Sequence, residues 1–104
     1  GCHVGVWTDM ALAQVPKATV HAFEADPTLS ARLLDKYRQD PRVIVNESGM
    51  SDATGTRELF VDADHRDVSS MIQVPDSGLI GVAVPVVRGD EYCRTNGIDR
   101  IDYL

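Results

Sequence analysis

Helix-like segments alternate with short apolar runs in the first half of the chain, and this alternation constrains the fold more than any other feature. Residues 8–14 are good helix formers, with Thr8 as the predicted cap, and Pro16 ends that helix. Residues 18–23 and 43–45 are short apolar runs rich in β-favouring residues, as in buried parallel strands. The order turn, helix, strand, helix, strand predicts an α/β fold with a parallel sheet.

The helix between these two strands has clear signals at both ends. Asp26 is the predicted N-cap, and Pro27 suits the first helical position because an N–H there has no partner within the helix. Pro41 ends the segment. Its apolar face is predicted to hold Leu29, Leu33, Leu34 and Tyr37.

The pattern changes after the second of these strands. Gly49 and Gly55 bracket a predicted polar turn. Extended apolar runs follow at residues 59–61, 71–72 and 82–87. They predict antiparallel strands added to the parallel sheet.

The last part of the chain continues this mixture. Pro85 within the third run predicts an edge strand or a bulge, because proline cannot donate a ladder hydrogen bond. A short helix over residues 91–95 is predicted to end at Asn96 and Gly97. Residues 98–104 are predicted to begin a fourth strand beside the first. We expect a single domain over residues 1–104.

Charge and cysteine content exclude several classes of partner. The formal net charge is -6 and the ten Lys and Arg residues are scattered, which argues against binding to nucleic acid or to an anionic membrane surface. Cys2 and Cys93 lie far apart with no zinc-type spacing, so neither a metal site nor a disulfide framework is predicted. These features favour a cytoplasmic protein.

The first candidate site is a turn that carries two glycines and precedes the first helix. It consists of Gly1, Cys2, His3, Val4 and Gly5. Such a turn lets a ligand approach the backbone and directs helix N-terminal N–H groups at it. His3 and Val6 occupy glycine positions of the dinucleotide fingerprint, which disfavours binding of NAD. The alternative is a plain strand-to-helix turn.

Glu24 follows the strand at residues 18–23, roughly 20 residues after the glycine turn. A carboxylate at the carboxyl end of a parallel strand can accept both hydroxyls of a ribose. We expect it at a loop mouth, with little buried area. The alternative is a solvated charge with no ligand. Asp26, two residues on, is explained by its capping role.

The third candidate pair, Ser51 and Asp52, follows the next strand. Asp52 can accept a hydrogen bond from an adenine amino group, and Met50 with Ser51 would line the ring. The alternative is that residues 52–55 form only a β-turn.

A cluster of possible metal ligands has a competing explanation. Its members are Asp62, Asp64, His65 and Asp67. The spacing fails the calcium-loop pattern because Arg66 occupies the third ligand position, so a solvated hairpin tip is predicted. Ser69 and Ser70 have no histidine that sequence places beside them, and no nucleophilic triad is predicted.

Taken with their order, these motifs make the chain resemble the FkbM-type family of class I, S-adenosylmethionine-dependent methyltransferases. The resemblance covers nearly the whole chain and rests on GCHVGVWT, VHAFEADP, NESGMSDATG, VSSM and VPVVRGDEYCRTNGIDRIDYL. It implies a Rossmann-like, mostly parallel sheet with flanking helices and a β-hairpin insertion, truncated after the start of the fourth strand. It also implies methyl transfer to a hydroxyl of a sugar or natural product, with S-adenosylmethionine as cofactor.

The resemblance also implies roles for individual residues. Gly1, Cys2, His3 and Gly5 would approach the amino-acid part of the cofactor, Glu24 its ribose, and Ser51 with Asp52 its adenine. His3 departs from the usual Asn of this turn, and Arg88-Gly89-Asp90 from the usual Leu-Asp-Asp. The family's acidic residue before the turn and its Lys-Ile-Asp block are expected outside residues 1–104, so no catalytic residue is assigned.

Three functions remain open at this point. The first is methyl transfer to a small-molecule hydroxyl acceptor. The second is a nucleoside-binding module without transfer activity, and the third is an NAD-dependent oxidoreductase, which His3 and Val6 oppose. An unpaired sheet edge would also favour association into homo-oligomers.

Overall fold

The computed structural model describes residues 1–65, 69–73, 75 and 77–104. Its helices are α1 (Val6–Gln14), α2 (Pro27–Tyr37) and α3 (Gly89–Thr95). Its strands are β1 (Val20–Phe23), β2 (Val43–Asn46), β3 (Gly49–Ser51), β4 (Gly55–Val61), β5 (Ser69–Ser70) and β6 (Ile80–Arg88). The predicted α/β class is confirmed.

Strands β1 and β2 form a parallel pair, as predicted. The register runs from Val20 opposite Val43 to Phe23 opposite Asn46. One face of the pair is covered by α1 and α2, around a core of Leu12, Ala22, Leu33, Tyr37 and Val43. Alternate residues of β1 face the other way. There the ring of Tyr92 in α3 packs edge-on against His21 and Phe23.

Helix α1 begins two residues earlier than predicted. Its N-cap is Gly5, which adopts a left-handed conformation with φ 83°, and Thr8 lies inside the first turn with 1% exposure. The prediction that Thr8 caps the helix is therefore wrong. A glycine can reverse the chain at positive φ without steric cost, so the helix starts directly after it.

Helix α2 follows its sequence signals closely. The Asp26 carboxylate accepts hydrogen bonds from the backbone N–H groups of Thr28 at 2.8 Å and Leu29 at 3.3 Å. Leu29, Leu33 and Tyr37 are buried as predicted, whereas Leu34 is 40% exposed. The prediction for Leu34 is wrong because neighbouring helical positions differ by about 100° in direction, and Leu33 takes the core side.

The second sheet has the order β3-β6-β4-β5 and is mixed. Strand β4 pairs antiparallel with β5 and β6, which confirms antiparallel additions, and β3 pairs parallel with β6. Residues 49–51 are thus a strand, not a turn, and the predicted strand at residues 71–72 is replaced by β5 at Ser69–Ser70. Among the described residues, two strand pairings are parallel and two antiparallel, so the sheets are not mostly parallel.

Pro85 lies in β6, which is a central strand of this sheet and not the predicted edge. On its β4 side it stands opposite Thr56. On its other side, pairing with β3 begins one residue later, at Val86 opposite Gly49. Proline is tolerated because β6 has no β3 partner at that position.

Residues 98–104 form no strand, so the predicted fourth strand is wrong. A strand needs a hydrogen-bonded neighbour, and none of the strands in the described part of the chain pairs with residues 98–104. The Cys2 N–H donates to the carbonyl of Phe23 in β1 at 2.9 Å. The segment instead passes close to α1, where the ring of Tyr103 stacks on Trp7 with centroids 5.3 Å apart.

Candidate functional site

Glu24 is the centre of the candidate site, at the carboxyl end of β1. One carboxylate oxygen, Oε2, accepts the backbone N–H of His3 at 2.8 Å, and Oε1 accepts that of Asp26 at 2.9 Å. Glu24 is only 6% exposed. The prediction of a carboxylate with little buried area is therefore wrong, because the backbone at His3, 21 residues earlier, covers it.

The glycine turn is shaped to fit this carboxylate. A Cβ at Gly1 would lie 2.3 Å from Glu24 Oε2, so any larger residue there would require the carboxylate to shift. The N–H of Gly5 donates to the carbonyl of Cys2 at 2.9 Å and closes the turn. His3 has φ 50°, a left-handed conformation that costs a non-glycine residue about 1–2 kcal/mol. That conformation accompanies a hydrogen bond from its N–H to Glu24.

The two backbone hydrogen bonds do not use every acceptor site of the Glu24 carboxylate. An ionised carboxylate has about four lone-pair sites on its two oxygens, and each oxygen of Glu24 accepts one backbone hydrogen bond. One further acceptor site on each oxygen is not used by these two bonds. The partial positive charge of the α1 N-terminus, at Gly5, favours a negatively charged ligand group near the turn.

Ser51 and Asp52 form a separate, exposed part of the candidate site. The Ser51 hydroxyl donates to Asp52 Oδ1 at 3.1 Å, and Arg57 Nη2 donates to the same oxygen at 2.5 Å. The Asp52 side chain is 86% exposed. Neither of these two hydrogen bonds uses Oδ2. This second oxygen therefore remains as an acceptor.

The strand that leads to Ser51 and Asp52 begins next to Glu24 in space, but no hydrogen bond among the described residues joins the pair to Glu24. A Cβ at Gly49 would lie 3.3 Å from the Cβ of Ala25, so β3 begins beside the residue that follows Glu24. Within the described residues, no hydrogen bond links Ser51 or Asp52 to the glycine turn. The structure thus brings Gly1, Cys2 and His3 together with Glu24, and leaves the third pair at a distance.

Sequence reasoning missed three residues that contact the turn. Lys36 Nζ donates to the carbonyl of Val4 at 2.9 Å and to Asp9 Oδ2 at 2.6 Å. The Tyr37 hydroxyl can donate to the Gly5 carbonyl at 2.9 Å or to Asp9 Oδ1 at 2.6 Å. These contacts span about 30 residues of sequence, and the individual residues carried only helix signals. We call Asp9, Lys36 and Tyr37 the turn anchor.

Each member of the turn anchor has a shifted pKa. Hydrogen bonds from Lys36 and then Tyr37 lower the pKa of Asp9 below 3.8. Burial, with a further contribution from Asp9, raises the pKa of Tyr37 above 10.0. Hydrogen bonding to Asp9 raises the pKa of Lys36 above 10.5. At neutral pH the anchor therefore holds a carboxylate, a neutral phenol and an ammonium group.

Two open cavities lie away from Glu24. One of about 420 Å³ is lined by residues 53–58 with Phe60, Met71 and Val86. The other, of about 590 Å³, lies between α2 and β2. Neither is lined by Glu24 or the glycine turn. The hydrogen-bonding groups of the candidate site converge at Glu24, whereas an open concavity alone has no specific chemistry.

Other features of the described residues bear on function. Within residues 1–65, 69–73, 75 and 77–104, no group of three His, Cys, Asp or Glu side chains is arranged to hold a metal ion. Asp67, a member of the metal cluster considered above, lies outside the described residues. No helix in the described part of the chain is long and apolar enough to cross a membrane.

The fold and site together define an α/β protein in which a buried carboxylate is held against a glycine turn at the carboxyl end of a parallel strand. Comparisons of the chain with protein-family models, curated proteins and solved structures found no match. The function proposed below therefore rests on the geometry of the site and on the motifs.

Proposed function

We propose that this chain binds S-adenosylmethionine and belongs to a methyltransferase of the FkbM type. The observation that carries the proposal is the contact of the Glu24 carboxylate with the backbone of the glycine turn. Two sequence motifs that the family joins in one cofactor site are thereby joined in this structure. The proposal that the sheet is Rossmann-like depends on the resemblance to this family.

The residues at the turn fit such a cofactor in two respects. The absence of a side chain at Gly1 lets backbone and ligand approach closely beside Glu24. The two remaining acceptor sites of Glu24 suit the hydroxyls of a ribose. His3 and Cys2 would then line the amino-acid part, and Ser51 with Asp52 would receive the adenine.

The proposed reaction is methyl transfer to a hydroxyl of a sugar or natural product. The cofactor supplies an electrophilic methyl group on a sulfonium, and the residues of this chain bind and orient it. Glu24 binds the ribose hydroxyls at the nucleoside end of the cofactor, and the glycine turn binds its amino-acid end. No residue among those described is assigned a catalytic role. A cytoplasmic location and homo-oligomer formation remain predictions.

Calorimetric titration of the protein with S-adenosylhomocysteine and with NAD tests the cofactor class. We expect binding of S-adenosylhomocysteine and no heat of binding from NAD, since His3 and Val6 fill the positions where the dinucleotide fingerprint has glycines. Binding of NAD without a response to S-adenosylhomocysteine would contradict the proposal and favour the oxidoreductase.

A nucleoside-binding module without transfer activity is the second candidate, because Glu24 and Asp52 both address the nucleoside part of a ligand. Adenosine distinguishes the two. The methyltransferase site also contacts the amino-acid part of its cofactor, so it should bind S-adenosylhomocysteine about tenfold or more tightly than adenosine. Equal affinities for the two ligands would favour the module.

A further inference from the structure

We propose that Asp9, Lys36 and Tyr37, the turn anchor, are positioning residues that hold the glycine turn in its ligand-binding shape. The inference rests on the proposed function of the turn, and it assigns a role to residues outside the motifs that suggested that function. The three side chains come from α1 and α2, and all three act on the backbone or on one another.

The contacts fix the two peptide groups that lead into α1. Lys36 holds the carbonyl of Val4, and Tyr37 reaches that of Gly5. In a planar trans peptide the carbonyl and the following N–H point in opposite directions. A fixed Gly5 carbonyl therefore fixes the direction of the Val6 N–H, one of the helix N-terminal donors that has no partner within the helix.

Asp9 makes the anchor a single unit. Its carboxylate contacts the Lys36 ammonium with one oxygen and the Tyr37 hydroxyl with the other. Its own N–H donates to the Gly5 carbonyl at 2.9 Å. Side-chain hydrogen bonds around the Gly5 carbonyl thus join the first turn of α1 to the last turn of α2.

Gly5 is required for this contact as well as for the turn. A Cβ at Gly5 would lie 2.4 Å from the Tyr37 hydroxyl oxygen and 3.1 Å from a methyl carbon of Leu33. Tyr37 is 7% exposed, so its ring has little freedom to move aside. The sequence therefore couples a glycine at one end of the site to a tyrosine 32 residues later.

Two conservative variants test the anchor. Tyr37→Phe removes only the hydroxyl, and Lys36→Met removes the charge but keeps an apolar stem. Matched controls are Tyr92→Phe, whose hydroxyl is bonded to His21 Nδ1 at 2.8 Å, and Arg38→Met, whose guanidinium lies 3.7 Å from Asp35.

The first measurement is amide hydrogen exchange by nuclear magnetic resonance, followed at Gly5 and Asp9, whose N–H groups donate to the carbonyls of Cys2 and Gly5. We expect exchange at these amides to accelerate about tenfold relative to the β1 amides in both anchor variants. The second measurement is calorimetric affinity for S-adenosylhomocysteine, which should weaken about fivefold. Both controls should leave both quantities within about twofold.

The outcomes separate the two proposals. Unchanged exchange at Gly5 and Asp9 in both anchor variants would overturn the anchor, whatever the ligand. Faster exchange with unchanged affinity would overturn its link to binding. A wild-type protein that does not bind S-adenosylhomocysteine would refute the proposed function, while the exchange rates would still decide whether the anchor holds the turn.

Discussion

Replacing Glu24 by Gln removes the negative charge at the centre of the site and keeps the length and shape of the side chain. The carboxylate accepts one backbone N–H on each oxygen, from His3 and from Asp26. The amide of Gln has one oxygen and one NH₂ group, so it can satisfy only one of these donors. The other N–H then faces a second donor in a position that is only 6% exposed.

The expected loss of unfolding free energy follows from these two hydrogen bonds. A hydrogen bond to a charged group contributes about 1.5–3 kcal/mol, and a buried donor left without a partner costs about 1–3 kcal/mol. We expect Glu24→Gln to lower the free energy of unfolding by about 2–4 kcal/mol. For a domain of this size each 1 kcal/mol lowers Tm by about 4–8 °C, so Tm should fall by about 10 °C or more.

Ligand affinity should fall as well. Loss of a charge-assisted bond to a ribose hydroxyl should weaken S-adenosylhomocysteine binding about tenfold or more. Circular dichroism melting and calorimetric titration measure the two effects. Glu47→Gln is the matched control, since its carboxylate follows β2 and receives one bond, from the Ser30 hydroxyl at 3.2 Å. An unchanged Tm with unchanged affinity would refute the reasoning for Glu24.

Three further predictions concern other positions. Gly5→Ala should lower the free energy of unfolding by about 2 kcal/mol or more in urea titration, because φ 83° is strained for alanine and its methyl group would meet Tyr37. Asp52→Asn should weaken S-adenosylhomocysteine binding by calorimetry and leave Tm within experimental error, because its side chain is 86% exposed. Arg42 lowers the pKa of Asp40 from 3.8 to about 2. The stability that this pairing contributes is fully present above pH 3.8 and is lost as pH falls toward about 2, so the unfolding free energies of wild type and Asp40→Asn should converge over that interval.

The elements that sequence predicted well depend on neighbours within a few residues. Asp26 caps α2 because its carboxylate meets N–H groups two and three residues later, a relation visible in the sequence. The parallel pairing of β1 and β2 follows similarly from two apolar runs and the helix between them. Local propensity and period were sufficient for both.

The features that sequence missed depend on contacts between distant segments. The burial of Glu24 requires the N–H of His3, which lies 21 residues earlier, and pattern alone placed the carboxylate at a solvated loop mouth. The role of Tyr37 likewise requires Gly5, since its position on the apolar face of α2 indicated only packing. The strand predicted over residues 98–104 needs a neighbouring strand to pair with. Local β-propensity does not show whether such a neighbour is present.

Trp7 gives this protein an optical reporter of its own. It is the single tryptophan of the chain, two residues after the Gly5 cap, and its ring stacks on Tyr103 while remaining 52% exposed. Its emission therefore senses both the start of α1 and the attachment of the final segment. A ligand that orders the glycine turn, or a substitution that releases it, can be followed by intrinsic fluorescence without any label.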